Sequence, residues 1–592
     1  MGRCLVTTSI EETWPKDGPV LFLGEWCKQY SRKKNWSKLD SLVSPYHWHD
    51  RVKLKNDLSY LQHVREVLLI DLAKQLNKIH KVNHSNLYWD ILIGVWLNTF
   101  IETVYDKWYS LKTAIESNQV SYCIVLGRDP IKMIPFDMDG FSKLLGSNEW
   151  NENLYSQLLI NNFYNDLDLR IIKVDEKEFK SDQQDLPQRN KYKQIKRVLS
   201  KLLLKINLFS KKNDKYFFLS SYLPRIKLIY LQILLGQFPK IWKPIGFKDI
   251  GTRINLKERL SDDKLGKQNF KDEFLNILSE MIPHNIPKVY VEDYSRLILS
   301  VKKLPWPKNP KVIFTSVGQY HDDLFKAWVG EKKENGSSFV IGQHGGGYGV
   351  TDFNSLEDHE AAISDYFLSW GWRKKNKNIV PIGNFKEFFK EISYDPKGDA
   401  LLVENYPSQF TYRIIAFPVS KQWLHYFDDQ FKFIKSLPKK INSRIIVRLA
   451  QQDRHWDAKQ RWDDYDFEVK FDTRAESIEK VISNCRLYIS TTNATTYLES
   501  LTWNVPTVIF WNPEHWELTE EAQLHFNILK DVKIFHETPE SAAQHIAEVW
   551  NDIDLWWKSD RVQRARNSFC RKYSHTSKTM LNDMVEAFRE FK

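Results

Sequence analysis

The chain has 592 residues and a mass of 70.4 kDa, more than one hydrophobic core can organise, and at roughly 150 residues per domain it divides into two to four. Hydrophobic residues at 42% and charged residues at 27% exclude a largely disordered or fibrous polymer. The net charge of +11 is concentrated between Arg189 and Lys248, where 15 Lys and Arg face one acid, Asp214, so the pI of 9.0 does not signify nucleic-acid binding by the whole molecule.

Along the chain, the opening MGRCLVTTSIEETWP has no long apolar run and is acidic by Glu11, so a signal peptide is not expected. RCLVTTS and GPVLFLGEW read as strands. Residues 50–120 read as long helices with apolar residues three and four apart, as in LSYLQHVREVLLIDLAKQL. The basic stretch divides into a helix (KYKQIKRVLSKLLLKINLF), a strand (DKYFFLSSYL) and an amphipathic helix (KLIYLQILLGQF). Residues 255–302 are helical again. There VYVEDYSRL offers Glu292 and Asp293, which point to different faces of a helix, so at most one serves a site and a solvated pair is the alternative.

PKVIFTSV and SSFVIGQHG complete a first set of strands, ending near Gly383. PIGNFKEFFKEISYDPKGDALLVENYP then reads as an interdomain connection, and YRIIAFPV, SRIIVRLA, RLYISTT and PTVIFWN form a second set. Short apolar runs separated by helical stretches are the pattern of parallel sheets covered by helices, the doubly wound α/β class. From Thr538 the chain is helical and rich in Trp and Arg; Trp550, Trp556 and Trp557 either pack this segment on the body or face a membrane or a partner helix. Five scattered cysteines without a CxxC pair give neither a disulfide framework nor a zinc knuckle, and no apolar run reaches the length of a spanning helix.

Two motifs carry chemistry. In VIGQHGGGYGVTDF a strand runs into Gln343, His344, Gly345, Gly346 and Gly347, with Asp352 beyond. Glycines at a strand's carboxyl end let backbone N–H groups approach an anionic ligand, and His344 there can donate to a phosphate or move a proton; a structural turn with an incidental His is the alternative. The spacing fits neither a Walker A loop nor GxGxxG with a downstream acid. In YISTTNATTYLESLTWNVPTVIFWNP a strand ends in Ser490, Thr491, Thr492 and Asn493, and a helix starting near Ala494 carries Glu499 about two turns in. Hydroxyls and free N–H groups at a helix start form an anion site, and the carboxylate can reach a ribose; plain N-capping by Thr492 or Asn493 is the alternative. Arg448, near the end of IIVRLA, can hold a phosphate or form a surface ion pair. GxSxG, HExxH and EF-hand patterns are absent.

The segments LVTTSIEETWP, PVLFLGEWC, SPYHWHDR, IGQHGGGYG, SDYFLSWGW, STTNATTYLESLTWNVPTVIFWNP and the terminal WW helix resemble, nearly end to end, a transferase family of bacterial O-antigen and surface-carbohydrate clusters. The resemblance implies a GT-B-like glycosyltransferase, two Rossmann-like domains facing a cleft with helical insertions, and is distantly similar to β-Kdo transferases that use a CMP-activated ulosonic acid. It divides the chain into an acceptor-side domain (1–390), a nucleotide-sugar-binding domain (391–550) and a helical segment packing back on the body (551–592). Nucleotide contacts then fall to Ser490, Thr491, Thr492, Asn493, Glu499 and Arg448, and the cleft loop to Gln343, Gly345, Gly346 and Gly347. His344, Glu292, Asp293 and Asp352 are the catalytic candidates, with no metal ligands and no cofactor. The expected partners are a nucleotide-sugar donor and a lipid-linked glycan, in a cytoplasmic protein touching the anionic inner face of the membrane through 189–248. The alternatives are an NDP-hexose transferase on the same scaffold and a non-catalytic scaffold of a polysaccharide-assembly complex.

Overall fold

β-Branched and aromatic runs form sixteen strands, paired in parallel throughout, among the residues that the computed structural model describes: 2–117, 119–174, 214–259, 271–375, 378–388 and 392–592. Buried parallel strands need apolar side chains on both faces, hence short apolar runs rather than alternation.

The first sheet contains β1 (Arg3–Val6), β2 (Val20–Phe22), β3 (Ser41–Val43), β4 (Val120–Leu126) and β5 (Asp168–Ile172) in the order β3-β2-β1-β4-β5. Between β3 and β4 run α1 (Arg51–His80) and α2 (Asn86–Glu116). Asp50 caps α1 by accepting from Lys53 N at 3.0 Å, and Ser85 caps α2 from Tyr88 N at 3.1 Å. α2 is buried on nearly every side, because it lies between the first sheet's helices and those of the second.

The second sheet is β6 (Tyr216–Phe218), β7 (Val312–Thr315), β8 (Ser338–Gly342), β9 (Tyr366–Ser369) and β10 (Ile379–Pro381), with neighbours in chain order. Its helices are α3 (Arg225–Leu234), α4 (Asp323–Glu334) and α5 (Ser355–Ile363). The third sheet has β11 (Asp399–Val403), β12 (Ile445–Arg448), β13 (Lys470–Phe471), β14 (Cys485–Ser490), β15 (Thr507–Phe510) and β16 (Phe535–His536), ordered β13-β12-β11-β14-β15-β16. That is the doubly wound dinucleotide-fold order, and its direction reverses between β11 and β14. α6 (Gln422–Ser436) follows β11, and α7 (Thr495–Thr502) joins β14 to β15. The chain then runs through α8 (Asp560–Tyr573) and returns as α9 (Met580–Glu590) to the second sheet, where Phe588 packs on Phe218 and Phe314.

The α/β class expected from the sequence is the class observed, as three parallel sheets among the described residues. Two segments differ from expectation. DALLV, read as part of a connection, is β11, the central strand of the third sheet; flanking Gly398 and Glu404 hid a four-residue buried run. YRIIAFPV, read as a strand, has one isolated bridge, Asn354 to Ile415, because it crosses the cleft instead of joining a sheet. The expected basic helix KYKQIKRVLSKLLLKINLF lies outside the described residues. Trp550 and Trp557 are buried and Trp556 donates from Nε1 to the Val532 carbonyl at 3.0 Å, so the tryptophans pack the C-terminal helices on the body.

Candidate functional site

The loops at the carboxyl ends of β8 and β14 meet. Contact is tightest at Gly346: a Cβ there would lie 2.4 Å from the Ala494 carbonyl oxygen and 2.9 Å from the Thr495 amide nitrogen, so only glycine fits. The Gly346 N–H donates to Thr495 Oγ1 at 2.9 Å, and Gly345 faces the same oxygen. Gly347, at φ 87, turns the chain away beside the Asn493 carbonyl.

On the β14 side, each polar residue has a definite place. Ser490 Oγ donates to the Thr492 carbonyl at 3.2 Å, and Thr492 itself is buried. Thr491 Oγ1 donates to the Val403 carbonyl at 3.0 Å and pairs with the Tyr426 hydroxyl at 2.8 Å, tying β14 to β11 and α6. The N-cap of α7 is Ala494, whose methyl accepts no hydrogen bond, so neither Thr492 nor Asn493 caps the helix. Asn493 is fully buried; its Oδ1 accepts from the Tyr497 hydroxyl at 3.0 Å, while its Nδ2 has no protein partner. An uncapped helix start and a buried amide donor without a protein partner thus lie together at the point where strand order reverses.

On the β8 side, Gln343 locks the loop. It is fully buried, donates to the Gly345 carbonyl at 2.9 Å and accepts from Trp370 N and Trp372 Nε1, both at 2.8 Å. His344 is left with its ring at the cleft, its side chain 21% exposed. Its Nδ1 lies 3.8 Å from Glu360 Oε1, and its Nε2 lies 3.2 Å from the Tyr348 hydroxyl. Glu360, on α5, is completely buried; Gln319 Nε2 donates to its Oε1 at 2.7 Å and the Tyr348 hydroxyl to its Oε2 at 2.9 Å. Burial pushes the Glu360 carboxyl up to about 8, so it keeps its proton at neutral pH. Burial, with Arg413 and His321 nearby, pushes the His344 imidazole well below its ordinary range, so it is an unprotonated base at neutral pH. Arg413 donates to the Tyr320 hydroxyl from the segment that crosses the cleft. That segment is anchored by the Ile414 N–H, which donates to buried Glu102 Oε2 at 2.6 Å.

The remaining sequence candidates lie in ion pairs. Glu292 binds Arg259 through both oxygens, at 2.5 and 2.6 Å, and Asp293 accepts from Arg296 at 2.8 Å. α-Helix begins only at Tyr294, so the two carboxylates precede it, and they are not brought to the cleft. Asp352 turns outward to Lys55 at 2.6 Å, although it belongs to the same loop as His344. Arg448 pairs with Asp472 at the end of β13. Glu499 is buried and pairs with Lys386, which opposes the upward push of burial on its carboxyl.

The sequence reading passed over Glu360, Tyr348, Arg413, Gln319 and Thr495. A local signal existed only for Tyr348, four residues beyond His344, and for Thr495 at the helix start; Glu360 and Arg413 reach the site through tertiary packing alone.

Three parallel sheets, with the titratable groups of the loop after β8 set against the uncapped start of α7, define an α/β protein with its polar residues gathered at the carboxyl ends of central strands. A family model described as LIC12162 family transferase matches residues 3–588, and the chain belongs to that family. No curated protein matches it. Among solved structures, Acinetobacter baumannii MurG is similar at 10% identity, covering 64% of this chain and 100% of its own, with a TM-score of 0.31. The spinosyn rhamnosyltransferase SpnG in complex with spinosyn aglycone is similar at 12% identity over 63% of this chain and 99% of its own, with a TM-score of 0.29. WaaG, a glycosyltransferase involved in lipopolysaccharide biosynthesis, is similar at 10% identity over 50% of this chain and 95% of its own, with a TM-score of 0.27.

Proposed function

We propose that the protein is a glycosyltransferase of surface-polysaccharide biosynthesis, moving a sugar from a nucleotide-activated donor to a lipid-linked glycan at the cytoplasmic face of the membrane. One observation carries this reading: the Gly346 backbone packs on the uncapped start of α7 while His344 and Glu360 sit beside it. A donor phosphate fits the α7 start. When the anomeric C–O bond breaks, its electron pair leaves with the phosphate oxygen, and the α7 N–H groups and Asn493 Nδ2 meet that charge where a bound metal otherwise would.

The acceptor hydroxyl oxygen forms the new bond to the anomeric carbon and gives its proton to neutral His344. Tyr348, whose hydroxyl donates to Glu360 and lies 3.2 Å from His344 Nε2, holds the ring in place for that transfer. With His344 as the only base, a single displacement inverts the anomeric centre. The family resemblance favours a CMP-activated ulosonic acid such as Kdo as donor.

Isothermal titration with CMP, UDP and GDP tests the donor site. CMP is expected to bind, with affinity about tenfold lower in Thr492→Ala if that residue meets the phosphate. Failure of all three nucleotides to bind the folded protein, or binding unaltered by the substitution, overturns the assignment.

A further inference from the structure

Large hydrophobic side chains exposed to solvent are unevenly spread over this molecule. Of the 19 among the described residues, seven lie within 222–250: Tyr222, Ile226, Tyr230, Ile233, Leu234, Phe238 and Ile250. Four of them belong to α3, whose sequence RIKLIYLQIL separates two faces. At about 100° per residue, Ile226, Tyr230, Ile233 and Leu234 fall on one side. Leu228, Leu231 and Gln232 fall on the other and are buried against the body, with α9 beneath. The outer side is the apolar one. Ile226 is 73% exposed, among the most exposed large hydrophobic side chains of the described residues.

The flanks of the stripe are basic. Arg225 lies about 100° to one side of Ile226 and Lys227 about 100° to the other, both exposed. Lys215, Lys243 and Lys248 are also exposed, and Asp249 is the sole acid between Lys215 and Ile250. The stripe is held firmly. Past Gly236 at φ 76, Gln237 bonds both the N–H and the carbonyl of Tyr216, at 3.0 and 2.8 Å. Buried Gln232 accepts from Lys240 N at 2.9 Å, and Lys240 Nζ pairs with Asp214 at 2.5 Å. Phe238 thus projects from a fixed turn. Among the described residues no helix is long and apolar enough to cross a membrane, so a fixed apolar stripe with cations on both sides is the geometry of a helix lying on an anionic bilayer.

Its position relates the stripe to the cleft. α3 follows the carboxyl end of β6, and in a parallel sheet that is the end at which the glycine loop after β8 lies, two strands or about 10 Å away. Tyr222, at the start of the stripe, lies near Lys386, and Lys386 holds Glu499 of α7.

We propose that α3 and the turn after it, through Tyr222, Ile226, Tyr230, Ile233, Leu234 and Phe238, form a docking surface for an anionic lipid bilayer, with Arg225 and Lys227 at the headgroups. This deepens the reading of a lipid-linked acceptor and rests on that reading for its purpose: docking brings the cleft mouth to the plane in which such an acceptor is held.

The test uses the full chain, sedimented with phosphatidylcholine vesicles with and without phosphatidylglycerol, and without nucleotide. The wild type is expected to bind the anionic vesicles and bind the neutral ones weakly. Ile226→Ser combined with Tyr230→Ser and Phe238→Ser, all at exposed positions, is expected to weaken binding about tenfold or more, and Arg225→Glu with Lys227→Glu to remove the preference for anionic lipid. Unchanged melting temperature and nucleotide affinity in both variants show that the fold is intact. A wild type that ignores both vesicles, or a triple variant that binds as the wild type does, overturns the proposal. So does a triple variant that converts a dimer into a monomer with vesicle binding absent, which makes the stripe an interface between copies. Because no nucleotide is present, failure here and failure of the donor assignment are separate results.

Discussion

The loops after β8 and β14 hold equivalent positions, at the carboxyl ends of central parallel strands, and are built from opposite chemistry. The loop after β8 is surrounded by titratable side chains: His344, Tyr348, Glu360 and Arg413. The loop after β14 is lined with hydroxyls and an amide, and its charge comes from the backbone at the start of α7. Burial acts on the two differently. It moves the pKa values of Glu360 and His344 towards each other's ordinary range, which creates a neutral acid–base pair; it leaves N–H dipoles unchanged but makes an unpaired one costly. Where the two loops touch, a missing Cβ lets the Gly346 N–H reach the Thr495 hydroxyl.

That point of contact gives the largest expected effect. Gly346→Val forces a branched side chain into the Ala494 carbonyl, separating the loops; nucleotide binding and turnover should both fall by at least about a hundredfold while circular dichroism stays that of a folded protein. A variant with near-normal kcat and Kd would show that the two loops act independently.

Next come the titratable residues alone. Glu360→Gln can keep the bond from Gln319 but puts an amide donor where Glu360 accepts from the Tyr348 hydroxyl, and it should lower kcat about a hundredfold with nucleotide Kd unchanged. It also changes stability with pH. Glu360 has a folded value of about 8 against an ordinary value of 4.5, so the folded state binds its proton more tightly and wild-type stability is lost as pH rises from about 4.5 to about 8. Gln has no such dependence. The melting temperature of Glu360→Gln relative to wild type should therefore rise across that window; a flat difference would mean that the carboxyl is ionised in the fold.

The smallest effect belongs to the hydroxyl side. Thr495→Ala deletes one acceptor for the Gly346 N–H and should weaken nucleotide binding several-fold, with kcat little altered. If kcat falls as far as in Glu360→Gln, the division between proton transfer and phosphate binding is wrong.

Both loops were visible in the sequence, since each is a contiguous run that breaks a strand pattern with glycines or hydroxyls. Their partners were not. Glu360 sits in SLEDHEAAI, where four acidic or histidine residues look alike and three of them are buried, and only packing brings Glu360 beside His344. Arg413 lies in a β-branched run that satisfied every local criterion for a strand, yet Ile414 N–H finds its acceptor in Glu102, more than three hundred residues earlier. Conversely, Glu292 looked like a free carboxylate because its partner Arg259 stands 33 positions away. Side-chain chemistry that depends on distant neighbours leaves no periodic trace.

The return of α9 to the second sheet has a consequence for how the protein is made. Phe588 completes the packing of Phe218 and Phe314, and Arg589 donates to the Leu234 carbonyl at 2.8 Å. As the ribosome extends the chain, β6 and β7 emerge hundreds of residues before the side chain that covers them. The second sheet therefore cannot mature in the order of synthesis: it waits, partly open, until the third sheet has been translated and α9 folds back. A premature stop near residue 580 would leave the aromatic surface of Phe218 and Phe314 uncovered.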